Sequence, residues 1–217
     1  MKKYILFLFL SIILCNCSKD EIDLTIYNSE ISILENLNNG VPVLEIVEQT
    51  GVTSLHGLEF GGGFIFHVDQ SDGSLLVATD FSEIGEVAWG DVFDLDTSHE
   101  IGSGSENTNR IIEGNLNDNS VNGLEYGRDD YAFKIVSDLE YRTFSDWFIP
   151  SSQSMKAIYD NVHSLGFGDF DESLIYWSST KVGYFPYVMG FNFDSWGGQP
   201  FPGSCLEVNG LLIVRKI

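Results

Sequence analysis

The N-terminal residues constrain the fold most, because their pattern places them outside the folded protein. Lys2 and Lys3 precede an apolar run from Tyr4 to Leu14 that is broken only by Ser11. A run of this length is typical of a secretory signal peptide and falls well short of the roughly 20 residues that a membrane-spanning helix needs. We therefore assign residues 1–16 to a signal peptide and expect the folded part of the chain to lie after them.

The residues around Cys17 resemble a lipobox, the motif at which bacteria attach a lipid to a cysteine. Leu14 lies three positions before Cys17, and Asn16 replaces the small residue that usually precedes the cysteine. Stable anchoring needs two or more acyl chains, and lipoprotein processing supplies them. The sequence thus predicts lipidation at Cys17 and attachment to the membrane through the N-terminal lipid. The alternative is a secreted protein that is cut near this position.

The segment after this cysteine carries a second indication of location. Ser18-Lys19-Asp20-Glu21 resembles the acidic export tags of outer-membrane lipoproteins that are displayed on the cell surface. The alternative is an ordinary polar tether. We assign residues 17–30 to a tether and predict an outer-membrane protein, lipid-anchored and exposed at the cell surface.

The chain is strongly acidic. It has 11 basic and 32 acidic residues, and loss of Lys2 and Lys3 with the signal peptide leaves 9 − 32 = −23. Such a surface repels phosphate backbones, and the sequence shows no basic stripe of the kind that nucleic-acid binding requires. We therefore exclude a nucleic-acid partner and interpret the dispersed acids as a solvated surface.

The cysteines leave no disulfide framework. Cys15 is lost with the signal peptide and Cys17 is acylated, so Cys205 has no partner for an intramolecular bridge. Core packing must then hold the fold, and 16 Phe, 9 Tyr and 4 Trp supply apolar area for it. The remaining length of about 200 residues is enough for one well-cored domain and a short N-terminal piece.

Residues 31–57 contain a weak internal repeat. Three stretches place Ser, Pro or Thr directly after an aliphatic residue, where those residues suit a helix N-cap or first turn. The repeat predicts short helical turns, which bury too little by themselves and should lean on the main domain or act as a stalk. The stretches are Ile31-Ser32-Ile33-Leu34, Val41-Pro42-Val43-Leu44 and Val52-Thr53-Ser54-Leu55.

Residues 58–217 are predicted to form one α+β domain. A polar, glycine-ended loop joins the strand-like runs Phe64–Val68 and Leu75–Ala78, which indicates a β-hairpin. Helical spacing or capping residues predict a helix within each of the ranges 101–114, 130–139 and 150–165. Short aromatic or aliphatic runs at 176–179, 187–194 and 206–217 then predict further strands.

Several motifs of this region resemble a known family in their order. They are similar to the C-terminal domain family of the Legionella collagen-like adhesin, which occurs in mostly uncharacterised bacterial lipoproteins, and the similarity covers roughly residues 58–217. The motifs are Gly62-Gly63-Phe64-Ile65-Phe66, Ala88-Trp89-Gly90, the loop of residues 102–109, Ser145-Asp146-Trp147-Phe148-Ile149-Pro150-Ser151, Tyr176-Trp177-Ser178-Ser179 and Val214-Arg215. The repeats of residues 31–57 also resemble segments that precede this domain.

The resemblance implies a C-type-lectin-like fold of irregular antiparallel strands and two or three helices, and adhesion through polysaccharides. This chain departs from the family at Ser152-Gln153-Ser154-Met155, where Lys-Asp-Glu-Leu is usual, and at Leu212, which replaces an arginine. A strongly acidic domain without those cations is a poor receptor for sulfated polymers. We expect adhesion to carry over and sulfated ligands not to.

The sequence shows no catalytic, cofactor-binding or metal-binding motif. The four histidines lie in unrelated contexts, without metal-ligand spacing, and no nucleophile elbow occurs. Cys205 is interpreted as a buried, inert thiol. The calcium-binding triplets of sugar-binding lectins are absent, since Gln199-Pro200 is followed by Phe201. We therefore predict a protein that is not an enzyme and has no cofactor, and we assign no metal site, with calcium open only through the large number of carboxylates.

Five residues are the candidate ligand-binding positions: Tyr184, Tyr187, Asp194, Trp196 and Gln199. They lie among Gly, Ser and Pro in residues 183–187 and 194–201. Aromatic faces beside polar groups suit a neutral sugar or a protein. The alternative is that such rings fill the core, which we favour for Phe191 and Phe193 and for the motif residues Trp147 and Trp177.

Two functions remain open from the sequence. The first is a surface-anchored, non-enzymatic lipoprotein that binds a glycan or another extracellular partner in adhesion. The alternative is a structural or accessory component of a cell-envelope assembly, with Ile31 to Leu55 as its docking piece.

Overall fold

The computed structural model describes residues 26–90, 92, 95–115, 130–190, 198–205 and 207–217. These residues form a mixed α+β fold with antiparallel sheets. Its helices are α1 (Ile33–Asn38), α2 (Val43–Thr50), α3 (Gly104–Asn115), α4 (Ala132–Ser137) and α5 (Ser152–Asn161), with 3₁₀ turns at Val52–Leu55 and His163–Leu165. Its strands are β1 (Glu59–Phe60), β2 (Gly63–Val68), β3 (Leu75–Thr79), β4 (Val87–Ala88), β5 (Ile175–Val182), β6 (Phe185–Gly190), β7 (Phe201–Pro202), β8 (Val208–Asn209) and β9 (Ile213–Lys216).

Across those ranges, no helix combines the length and the hydropathy that crossing a bilayer requires.

The largest sheet has the strand order β1-β2-β3-β9. Strands β2 and β3 form the predicted hairpin, with Phe64 opposite Ala78 and Val68 opposite Leu75. Strand β9, near the end of the chain, pairs with β3 through Leu76 opposite Lys216. Every residue of β3 is buried, so elements must cover this sheet on both faces.

The N-terminal helices cover one of these faces. Ile46 of α2 and Leu55 of the first 3₁₀ turn are fully buried and pack in one cluster with Leu75 and Val77 of β3. The repeat segment therefore leans on the main domain, which was one of the two expected arrangements. Ile46 and Leu55 are therefore not free to dock onto another protein, whereas Leu44 of α2 is 39% exposed.

Helix α5 covers the other face. The alternation of a β-strand sends Leu76 and Ala78 to the side opposite Leu75 and Val77, and there they pack with Met155 and Ile158 of α5. The sheet is thus the middle layer of three, between the repeat helices and α5.

A second core joins α3 and α4 to the remaining strands. It contains Trp89, Phe133, Trp147 and Trp177, together with Ile213 from the start of β9. Strands β5, β6 and β7 form one antiparallel sheet beside it, and β4 pairs with β8.

Within the β region predicted over residues 206–217, the described residues form β8 and β9 with a break between them. At the break, the backbone of Gly210 bonds to β5, donating to the carbonyl of Ile175 at 2.8 Å and accepting from the amide of Trp177 at 3.0 Å. The strand predicted over residues 187–194 begins two residues earlier, at Phe185, and its residues 191–194 lie outside the described ranges.

Residues of the motifs that carry the family resemblance make long-range contacts. Arg215 forms a two-point ion pair with Asp146, with distances of 2.8 and 2.9 Å, and its guanidinium lies 3.7 Å from the ring centroid of Phe144. The indole of Trp177 donates to the carbonyl of Val87 at 2.7 Å and is fully buried, as predicted. These contacts join segments distant in sequence, so these motif residues help to hold the fold together.

Two half-buried histidines, His56 after the first 3₁₀ turn and His67 on β2, are expected to make stability depend on pH. Burial lowers the pKa of His56 and of His67, and the proximity of His67 lowers that of His56 further, whereas Asp69 opposes the shift at His67. Lys216 also faces His67, across a small cavity. In the unfolded chain both imidazoles take up protons near pH 6.5. Because the unfolded state then binds more protons, their contribution to stability is present above pH 6.5 and is lost as the pH falls below it.

The measurement is urea unfolding of the full chain between pH 7.5 and pH 5, for the wild type and for His67→Gln. The repulsion among the acidic residues affects the stability of both proteins alike between pH 7.5 and pH 5, and the carboxylates titrate mainly below this range. We expect the wild type to lose more stability than the variant as the pH falls. Parallel profiles would contradict the assignment.

Candidate functional site

Tyr187 lines an open cleft of about 280 Å³ at the start of α5. The cleft lies where the loop of residues 95–103, the first turn of α5 and the β5–β6 hairpin converge. Its other described lining residues are His99, Ser152, Gln153, Thr180, Val182 and Pro200.

Hydrogen bonds fix the first turn of α5 against the neighbouring loop. The hydroxyl of Ser151 accepts from the amide of Ser154 as the N-cap and donates to the carbonyl of Glu100 at 2.6 Å. The amide of Gln153 donates to the carbonyl of His99 at 3.2 Å. These bonds hold His99 and Gln153 side by side at the mouth of the cleft.

The floor of the cleft is tied to β5. The amide of Ser152 donates to the hydroxyl of Thr180 at 2.9 Å, and that hydroxyl donates to the carbonyl of Ser98 at 3.1 Å. The amides of Ser152, Gln153 and Ser154 therefore all have partners inside the protein. Helix N-termini attract anions through unpaired amides, so this one offers no anion site.

Asn107 of α3 supports the loop from below. Its side chain is almost fully buried, accepts from the amide of Ser98 at 3.0 Å, and donates to the carbonyl of Ser98 at 2.7 Å and to the hydroxyl of Ser179 at 3.2 Å. Because this one amide joins α3, the loop and β5, the cleft is a preformed feature of the fold.

Uncharged groups dominate the lining. None of the described lining residues is Lys, Arg, Asp or Glu. Tyr187 offers an aromatic face and Gln153 an amide that both donates and accepts, while His99 lies 3.1 Å from Glu100 at the rim. Such a cleft can combine stacking with hydrogen bonds and suits an uncharged, polar ligand.

The other predicted ligand residues fall in different places. Tyr184 is at the tip of the β5–β6 hairpin with 67% of its surface exposed, and it is not among the described residues that line the cleft. Gln199 is exposed and precedes Pro200, which lines the cleft. Asp194 and Trp196, like Phe191, Phe193 and the lipidation position Cys17, lie outside the described residues.

Sequence reasoning missed His99 and Gln153 as lining residues. The Pro150-Ser151 cap is a local signal that could have placed Gln153 on the exposed first turn of α5. For His99 there is no local signal, since long-range contacts of its loop bring it to the cleft.

Two further predictions concern chemistry. Cys205 is buried as expected, with its sulfur 3.9 Å from the carbonyl oxygen of Tyr184. Over the described ranges, no group of three or more His, Cys, Asp or Glu residues is placed to hold a metal ion.

No model of a known protein family matches the chain, and neither does any curated protein. The function of the cleft therefore has to be inferred from its own chemistry.

Proposed function

We propose that this protein is a surface-anchored, non-enzymatic bacterial lipoprotein whose C-type-lectin-like domain binds a neutral glycan in adhesion. The single observation that carries the proposal is the cleft at Tyr187, which places an aromatic ring, an amide and an imidazole around a space free of lysine, arginine and carboxylates among its described lining residues. Cys17 supplies the lipid anchor in the outer membrane, and Ser18-Lys19-Asp20-Glu21 supplies the signal for the cell surface.

The finer fold assignment rests on the resemblance of the motifs. Their burial supports it, because residues that a family shares for folding reasons should lie in the core, and Trp89, Trp147 and Trp177 do. The α+β architecture with antiparallel sheets is compatible with a C-type-lectin-like domain.

Neutral ligands are favoured over sulfated ones for three physical reasons. The described lining of the cleft carries no cation, the amides of the first turn of α5 are already bonded, and the mature chain has a net charge of 9 − 32 = −23. Each of these weakens the attraction of a polyanion.

The alternative role in an envelope assembly stays a proposal with a smaller docking piece. Ile46 and Leu55 of the repeat segment pack against the sheet, whereas Leu44 of α2 is 39% exposed. An accessory subunit would have to dock through the exposed part of this segment or through another surface.

The experiment is a glycan array, with a panel of extracellular-matrix proteins beside it, probed with the purified full chain. We expect neutral glycans to bind, sulfated glycans to give weaker signals, and Tyr187→Ala to lose at least about tenfold in apparent affinity through loss of the aromatic face. The matched control is Ile175→Ala, which removes an exposed apolar side chain from the same sheet outside the cleft. Silence on the array would contradict the proposal, and so would binding that Tyr187→Ala leaves intact.

A further inference from the structure

The exposed face of β6 continues beyond the cleft. Phe185 and Tyr187 are two residues apart on this strand, so their side chains leave the same face of the sheet, roughly 7 Å apart. The burial pattern agrees, because Pro186 and Val188 between and after them are buried while Phe185 is 56% exposed. Tyr187 is therefore one end of an aromatic strip.

The register of the neighbouring strands widens this strip. Val182 of β5 lies opposite Phe185, and Pro202 of β7 lies opposite Tyr187. Residues paired across strands share a face, so apolar side chains flank both rings. Val182 is 52% exposed and Pro202 is also exposed, so this part of the face is open to solvent.

A second concavity begins where the cleft ends. An open groove of about 460 Å³ has Phe185 in its wall, whereas the cleft of about 280 Å³ has Tyr187 in its wall. The two spaces thus adjoin along one strand. The described residues that line the groove are Phe185, Phe201, Pro202, Gly203, Ser204 and Glu207.

The charges along the cleft and the groove favour uncharged extended ligands over anionic ones. Glu207 is the one residue of the types Asp, Glu, Lys and Arg among the described lining of cleft and groove together, and it repels anions. A polyanion is thus disfavoured along the whole length, as it is in the cleft. A neutral sugar chain matches the lining, since each unit presents an apolar ring face to an aromatic side chain and hydroxyl groups to the polar rim.

We propose that the site binds an internal stretch of a neutral, linear polysaccharide, laid along β6 from Tyr187 to Phe185, and not only a terminal sugar. This inference rests on the proposed glycan-binding function and adds the length and direction of the ligand. Because the two rings lie on one face of one strand, different units of the same sugar chain can stack on Tyr187 and on Phe185.

The experiment is calorimetric titration of the full chain with neutral cello-, malto- and manno-oligosaccharides, each from the monosaccharide to the hexasaccharide. In the series that binds, we expect affinity to rise by at least about tenfold from the monosaccharide to the tetrasaccharide as the second ring is engaged. Phe185→Ala should lower tetrasaccharide affinity by about three- to tenfold and leave monosaccharide affinity unchanged. Tyr187→Ala should weaken binding at every length.

The controls separate failure of this inference from failure of the function. Ile175→Ala should bind every oligosaccharide as the wild type does. Binding that is independent of length, or a tetrasaccharide affinity that Phe185→Ala leaves unchanged, would overturn the extended site while leaving glycan binding in place. Absence of binding in all three series and on the glycan array, or capture of a matrix protein alone, would overturn both.

Discussion

Replacement of Trp177 by alanine is expected to lower the free energy of unfolding by about 3–5 kcal/mol, the range typical of a large buried aromatic residue. Trp177 is fully buried in the second core. It also joins two sheets, because its indole donates to the carbonyl of Val87 and its amide donates to the carbonyl of Gly210. Loss of the ring removes packing and leaves the Val87 carbonyl without this donor.

Urea unfolding followed by circular dichroism measures this effect. Trp177→Phe separates the two contributions, since it keeps most of the ring and removes the donor, and it should cost about 1–3 kcal/mol. It also provides a measurable variant if the alanine form does not fold. Ile175→Ala, two residues away on the same strand but 41% exposed, should stay within about 0.5 kcal/mol of the wild type. Wild-type stability of Trp177→Ala would contradict the structural role of this motif.

Replacement of Cys17 by serine is expected to move the protein from the membrane fraction to the soluble fraction. The thiol of Cys17 is the predicted site of the diacylglyceryl group, and serine cannot form the thioether. Since acyl chains provide the proposed attachment, nearly all of the Cys17→Ser protein should be in the soluble fraction.

Cell fractionation and metabolic labelling with palmitate measure this change. Cys15→Ser is the matched control, because it alters the neighbouring cysteine and should keep both the label and the membrane location. Protease added to intact cells should degrade the wild-type protein if it faces outward. A Cys17→Ser protein that is still labelled and membrane-bound would contradict the anchor.

Local patterns predicted much of the fold. The hairpin of β2 and β3 was predictable because short, nearly continuous apolar runs flank a polar, glycine-ended loop. Helix α5 was predictable because Pro150-Ser151 supplies a cap and apolar residues follow at helical spacing. The repeat segment likewise shows helices at its three stretches, with Ser32 capping α1 as expected.

Long-range contacts determined the rest, and a single sequence does not reveal them. No local signal pairs β9 with β3 or places Gly210 against β5. The cleft depends on contacts of the same kind, such as Thr180 with Ser98 and Ser151 with Glu100, which join residues 82 and 51 positions apart. Aromatic composition therefore singled out Tyr187 as a candidate, which the fold places in a cleft, but not the residues that line the cleft with it.

The most direct measurement of the central claim is titration of the strongest neutral array ligand into the wild-type chain and into Tyr187→Ala, in buffer that contains EDTA. We predict that the wild type binds without calcium, that Tyr187→Ala loses at least about tenfold in affinity, and that Ile175→Ala binds normally. Equal binding by Tyr187→Ala and the wild type, or loss of wild-type binding on chelation, would contradict a neutral-glycan site in this cleft.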